Sequence, residues 1–431
     1  MIKTSRRNFL GASAVISLAP APISAQSPEG ETIRQDLFRY LNFGNKRAGG
    51  DGDVACGNWL ASELAKAGYA VERQYYQVPF FEPLTAELEC EGGSVPVYPQ
   101  PVVVPTGAGG LAGPLVRVDG YGQFAGSMKG AIALVDLPHA RWSSILAPAA
   151  RTPIEAAFAA GASAAVVITN GPSGKVIALN ADGRGPMFAG PVALLAPDRA
   201  KDFLAAAMTR STARLTIDGT AGTRAAFNFV GRLDRGKARW LAISTPRSGW
   251  FGCAAERGPG VAAWLELARW AATALPDHNL SFLCNTGHEY QYLGAAEAMK
   301  QIAPPVDQTD FWLHIGANVA ARDWHSIAGV APLPSVDSQR YLSVSPGLLP
   351  LARSIFAGQT GYEEPVSSDV LSAGELDEVI KAGYAPAAGV FGIHRYHHTA
   401  EDDERCLHVP ATVAAARGFR TLLETVARAG N

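Results

Sequence analysis

Cysteine is scarce: the 431 residues hold five, Cys56, Cys90, Cys253, Cys284 and Cys406. Thiols this few and this scattered exclude a disulfide scaffold and read as small buried hydrophobes. An oxidising compartment leaves room for one bridge, but the odd count leaves at least one thiol unpaired in a monomer. An excess of charge is missing too. Lys plus Arg number 37 against 39 Asp plus Glu, so there is no net basic surface to hold nucleic acid or an anionic membrane. After the first 25 residues no stretch is long and apolar enough to span a bilayer, and there is no internal repeat or low-complexity segment. What is present is an ordinary globular composition, 48% hydrophobic and 18% charged. That is enough apolar material for one large domain or two modest ones. The expected partner is a peptide or small amide, with no nucleic acid.

At the start, Ser5-Arg6-Arg7-Asn8-Phe9-Leu10-Gly11 precedes a short apolar run, and Ile23-Ser24-Ala25 supplies small residues. This resembles a twin-arginine export leader. The resemblance implies cleavage near Ala25, transport of the folded chain, and a periplasmic or secreted protein with no stable membrane anchor after cleavage.

Cys56, Trp59, Leu60, Glu63, Leu64 and Ala67 recur at helical spacing, and Gly68 then stops the helix before a strand over Tyr69 to Tyr76. From 84 to 224 the chain turns rich in Gly, Pro and Val. There the order Lys129 to Val135, one helix over Pro153 to Ala160, then Gly161 to Asn170 resembles the protease-associated domain. From Phe227 onward, strands over Trp240–Ser244, Ser281–Asn285 and Phe311–Ile315 alternate with helices. A last helix carries Ala415, Phe419, Leu422, Leu423 and Val426 on one face. The chain therefore divides into a leader (1–25), an α/β domain (26–83 and 225–431) and an inserted β-rich domain (84–224). The expected fold is a three-layer α/β/α domain around a mostly parallel mixed sheet, plus the insert.

In open α/β sheets ligands bind beyond the carboxyl ends of strands, so the residues just after each strand carry the chemical information. Here they are Thr245-Pro246-Arg247-Ser248-Gly249-Trp250 with the Gly-rich turn into the next helix, Gly287-His288-Glu289-Tyr290-Gln291-Tyr292-Leu293-Gly294-Ala295, and His394-Arg395-Tyr396-His397-His398-Thr399-Ala400-Glu401-Asp402. These segments, in this order, resemble the co-catalytic zinc aminopeptidases, a family that includes bacterial leucyl aminopeptidases, glutamate carboxypeptidase and the glutaminyl cyclases.

The resemblance implies a two-zinc site, and the sequence departs from it on one side. Where the family has the imidazole of His-x-Asp-Ser, Thr245 stands, and Arg247 replaces the Asp. The best register puts Leu313 where the same zinc takes a carboxylate, with His314 on the opposite strand face. The second-zinc positions keep donors in Glu256, Glu289 and His398. One zinc is therefore the most this set is expected to hold, with two disfavoured. His288 stands where the family has its glutamate base, and imidazole can take that proton at neutral pH. Arg247 is the candidate carboxylate or oxyanion contact. His397, Asp402 and His314 are candidate supporting groups, and Trp250, Tyr290 and Tyr396 candidate walls of a substrate pocket.

Plainer roles compete with each of these. Glu289 suits a helix start electrostatically, Glu256 can pair with Arg247 or Arg257, and His288 can be a satisfied buried histidine. The expectation is an exported metallopeptidase-like hydrolase acting on a peptide or other amide-like bond, with a single-metal or metal-free site. The alternatives are a pseudopeptidase that binds peptides or small ligands without turnover, and an aminoacyl cyclotransferase of the glutaminyl-cyclase type.

Overall fold

A computed structural model describes residues 27–429 except 92 and 328. The expected export leader lies outside the described residues. Four parallel strands form the heart of the main sheet, in the spatial order Ala387–Gly392, Thr309–Ile315, Trp240–Pro246, Asn279–Asn285. Arg340–Val344 adds antiparallel to the first of these and Thr212–Leu233 antiparallel to the last. Strands buried on both faces need no alternation, which is why they read as continuous apolar runs.

Helices cover both faces. On one side Pro28–Leu41, Asp51–Lys66, Ala254–Ala274 and Val409–Ala429 pack into a core with Leu241, Ile243, Phe282 and Leu313. On the other, Leu293–Gln301 and Leu376–Lys381 meet Ala242, Leu283 and Trp312. Mixed sheet and two helical layers give the three-layer α/β/α fold.

The helix Ala254–Ala274 is buried nearly all round, because it lies between the sheet and the helices at both ends of the chain. Gly260 lets it do so: a Cβ there would sit 2.9 Å from the Gly316 carbonyl oxygen. The helix begins six residues before Gly260, which places Glu256 and Arg257 in its first turn.

Two long strands, Ala70–Cys90 and Thr212–Leu233, pair antiparallel from Ala70↔Arg232 to Cys90↔Ala213. This ribbon runs unbroken, save for an irregularity between Pro83 and Thr85, from the main sheet into residues that build their own cores. Those cores surround the parallel strands Leu111–Val118, Ile132–Asp136, Ala164–Ile168 and Val192–Leu195. Positions 84 and 224 thus fall inside paired strands rather than in linkers. The helix of this region spans Pro148–Ala159, and a second helix, Lys201–Met208, was not anticipated. It is short and buries chiefly Phe203 and Ala207, too brief a pattern to stand out.

Candidate functional site

The first strand end is closed by its own hydrogen bonds. Thr245 donates through Oγ1 to the Ile315 carbonyl at 2.8 Å, and Leu313 lies in the apolar core. Arg247 has no exposed surface: its Nε lies 2.9 Å from Asp53 Oδ1, Nη2 donates to the Phe227 carbonyl at 2.7 Å, and the guanidinium covers the Phe227 ring at 4.6 Å. Burial is the largest influence and opposes its charge, but Asp53 together with Cys284, Cys56 and Tyr76 outweighs it and holds the pKa above the ordinary value. Arg247 is therefore a strut between the helix Asp51–Lys66 and the sheet, and the expected carboxylate or oxyanion contact is corrected.

Glu289 is also committed elsewhere. Its Oε1 accepts from the Ala48 amide at 2.6 Å and its Oε2 from Ser248 Oγ at 2.7 Å. Among the described residues, donor atoms lie within 4.8 Å of one another in two buried groups, Glu256 with His397 and His398, and His394 with Asp402 and Cys406. Glu289 is in neither, so the trio read from the sequence does not meet, and His397 stands in its place.

At the centre is Arg257, one of the two cations expected as a partner for Glu256. Arg257 Nη2 lies 2.9 Å from Glu256 Oε1, and its Nε donates to the Ser248 carbonyl at 3.1 Å. His398 donates through Nδ1 to the Ala178 carbonyl at 2.9 Å, which turns Nε2 toward Glu256 Oε1 at 3.3 Å. Burial alone would raise the Glu256 carboxyl, yet His398 and Arg257 hold it well below its ordinary pKa. Asp402 caps the helix below, accepting from the Ala255 and Glu256 amides at 2.9 and 3.0 Å, with His394 Nε2 3.4 Å away. Its main partner is thus a helix end.

Beside this cluster opens a cavity of about 810 Å³, walled by His288, His314, His397 and Tyr292 and by Arg141 and Asn180. His288 Nδ1 lies 3.3 Å from Glu375 Oε1, while Glu375 Oε2 accepts from Asn285 Nδ2 at 3.0 Å. Among the described residues His288 Nε2 has no hydrogen-bond partner. Burial and then Arg257 hold His288 well below its ordinary pKa, so the ring is neutral at neutral pH.

His314 shows the opposite polarity. Trp312 Nε1 donates to Ser244 Oγ at 2.8 Å, and among the described residues His314 Nδ1, 2.9 Å away, is the one hydrogen-bond partner left to take the Ser244 hydroxyl proton, so we assign the hydroxyl as its donor. That fixes the proton on His314 Nε2, a buried donor with no protein partner. Burial pushes the His314 pKa down to about 4. His397 stacks on His398 at 3.9 Å and is neutral for the same reason.

The expected aromatic walls lie elsewhere. Trp250 and Tyr290 line a smaller apolar cavity of about 110 Å³, and Tyr396 packs on Trp324 at 4.9 Å. The site loops carry left-handed backbone at Cys253, Gln291, Tyr292 and His398, a form non-glycine residues adopt rarely and mostly at functional positions.

Residues 178–181 hold these loops. Ala178 N donates to the His398 carbonyl at 2.9 Å, Ala181 N to the Glu289 carbonyl at 3.0 Å, and Trp250 Nε1 to Asn180 Oδ1 at 2.9 Å.

Comparison with solved structures finds the same overall fold. A zinc aminopeptidase from Bacillus subtilis superposes with a TM-score of 0.71 at 17% identity, covering 92% of this chain and 94% of that one. The fold is that of the zinc aminopeptidases. A peptidase precursor from Shewanella amazonensis (TM-score 0.70, 15% identity, 93% and 96% covered) and an aminopeptidase from Aneurinibacillus (0.61, 15%, 93% and 94%) agree. No family model and no curated protein sequence matches the chain.

The zinc of this fold can be tested against the residues present. Glu256, His397 and His398 supply three donors of the right type. Yet the shared carboxylate already faces a guanidinium, and neither Glu256 oxygen nor either Arg257 terminal nitrogen has accessible surface. A catalytic zinc needs a carboxylate free to bind it and a coordination position open to substrate or water. Here Arg257 stands against Glu256 where a zinc would bind, so a metal at this set would have to displace the guanidinium, although both Glu256 oxygens lack a hydrogen-bond partner among the described residues and His397 borders the cavity. Sequence reasoning missed Glu375, which belongs to no local motif. The pairing of Glu256 with Arg257 was among its plainer alternatives, and the structure shows it buried rather than solvated.

Proposed function

We propose that the protein is an exported hydrolase of the zinc-aminopeptidase fold that acts on a peptide or other amide-like bond without a metal. The observation that carries this reading is the pair of neutral imidazoles of opposite polarity on one cavity wall, His288 with a bare Nε2 and His314 with a protonated one. Glu375 orients the His288 ring, and Nε2 removes a proton from water as the oxygen attacks the acyl carbon. The charge that develops on the carbonyl oxygen is met by His314 Nε2–H, a donor held in place by Ser244 and Trp312. As the C–N bond breaks, the proton on His288 passes to the leaving nitrogen, giving a carboxylic acid and an amine.

Arg257 takes the place of the metal as counter-charge to Glu256 and keeps the floor of the site closed. Residues 84–224 are read as a protease-associated insert that frames the cavity, and the leader as the route out of the cytoplasm. A second reading, a pseudopeptidase that binds a peptide or small ligand without turnover, draws on the same sealed Glu256–Arg257 cluster. The cyclotransferase reading would need a metal, which the Glu256–Arg257 pair opposes.

The test is hydrolysis of a panel of aminoacyl and N-acyl amides in the presence of a chelator, for wild type and His288→Ala. The reading requires chelator-resistant activity that His288→Ala lowers by about 10²–10⁴-fold. Turnover of no panel member would favour the binding protein.

A further inference from the structure

The walls of the large cavity carry five titratable side chains that are basic or imidazole, His139, Arg141, His288, His314 and His397, and among the described residues no aspartate or glutamate. Every nearby carboxylate is spoken for. Glu256 is sealed against Arg257, Glu289 accepts from Ala48 and Ser248, Glu375 lies behind His288 and Asn285, and Asp337 is bonded to Arg141 Nη1 at 2.9 and 2.8 Å. A ligand ammonium in this space would lose water and gain no counter-charge, which is the costly case for a buried ion. Donors, by contrast, are plentiful: the His314 Nε2–H has no protein partner, and Arg141 spends only Nη1 on Asp337 and the Ile393 carbonyl.

We infer that the cavity takes a compound whose amine is blocked, an N-acyl amino acid or N-acyl peptide, and turns away one with a free α-ammonium. An acyl group presents a carbonyl acceptor to this donor-rich wall and brings no charge of its own. The inference deepens the proposed hydrolase and rests on it only for the place where the bond is cut. The preference in binding follows from the cavity wall alone. It runs opposite to what the name of an aminopeptidase would suggest for this fold.

The probe is a mixed-sequence dipeptide-amide pool prepared twice, once N-acetylated and once with the amine free, with binding to the full-length protein read by ligand-observed NMR competition. The acetylated pool should bind at least about tenfold more tightly. Equal or tighter binding of the free-amine pool, or no binding of either at millimolar concentration, overturns the inference. Leu371 lines the cavity and is partly exposed, so Leu371→Glu adds the missing counter-charge without touching the core. It should narrow the preference to about threefold or less, and an unchanged preference overturns the assignment to wall charge. Binding of the acetylated pool without release of amine would defeat the hydrolase and leave this inference standing. Cleavage of the free-amine pool in preference would do the reverse.

Discussion

Two clusters occupy neighbouring parts of one fold and have met different fates. Glu256, Arg257 and His398 form a buried group with no access to solvent, in which a guanidinium faces the only carboxylate. His288 and His314 stand a short way off on an open cavity wall, each with one nitrogen fixed by the protein and the other left free. Similar residue types are thus used in one place to neutralise charge and in the other to present it. The difference lies in what each side chain meets rather than in which residues are conserved in kind with a metal site.

The comparison breaks first at His288. Its replacement by alanine should lower hydrolysis by about 10²–10⁴-fold with little change in the unfolding midpoint, since the ring serves the cavity and not the core. A large loss of stability with activity per folded molecule intact would place it on the structural side.

On the sealed side the expected effects are reversed. Arg257→Ala leaves Glu256 buried without its cation, and should cost about 3–5 kcal/mol in denaturant unfolding. Asp53→Ala should act alike by stranding Arg247, although neither Asp53 nor Arg247 touches the cavity.

Ser244→Ala probes the link between core and cavity. It removes the hydroxyl that fixes the His314 proton and leaves Trp312 Nε1 unpaired, at about 1–3 kcal/mol in stability. Its kinetic signature should be a fall in kcat larger than any rise in KM, and a pure KM effect would remove His314 from the reaction.

The smallest effect is in pH. A base must be unprotonated to act, and burial and Arg257 hold the His288 pKa well below 6.5. The acid limb of kcat/KM should therefore lie below pH 6.5, with a flat profile through that value. A limb centred at 6.5 would mean that an exposed histidine is responsible.

Much of this was readable in the sequence, for physical reasons that can be named. The parallel strands are unbroken apolar runs, and the final helix repeats its apolar residues on one face, so local pattern and packing agree. Alternation along a strand placed Leu313 and His314 on opposite faces, and the structure has Leu313 in the core and His314 bonded to Ser244. Glu289 was misread because its partners, Ala48 and Ser248, are distant in the chain and leave no trace beside it. Glu375 was missed for the same reason, since it lies 87 residues from the histidine it orients. Arg247 looked chemical because of the motif it interrupts, yet Asp53 and Phe227 make it a strut.

The central claim is that Arg257 supplies the cation at this site and that zinc does not. Metal analysis after equilibrating the pure protein with excess zinc and removing the unbound ion tests it directly. The account predicts far less than one zinc per chain and activity unchanged by a chelator. One tightly held zinc per chain that disappears in both Glu256→Ala and His398→Ala would contradict it.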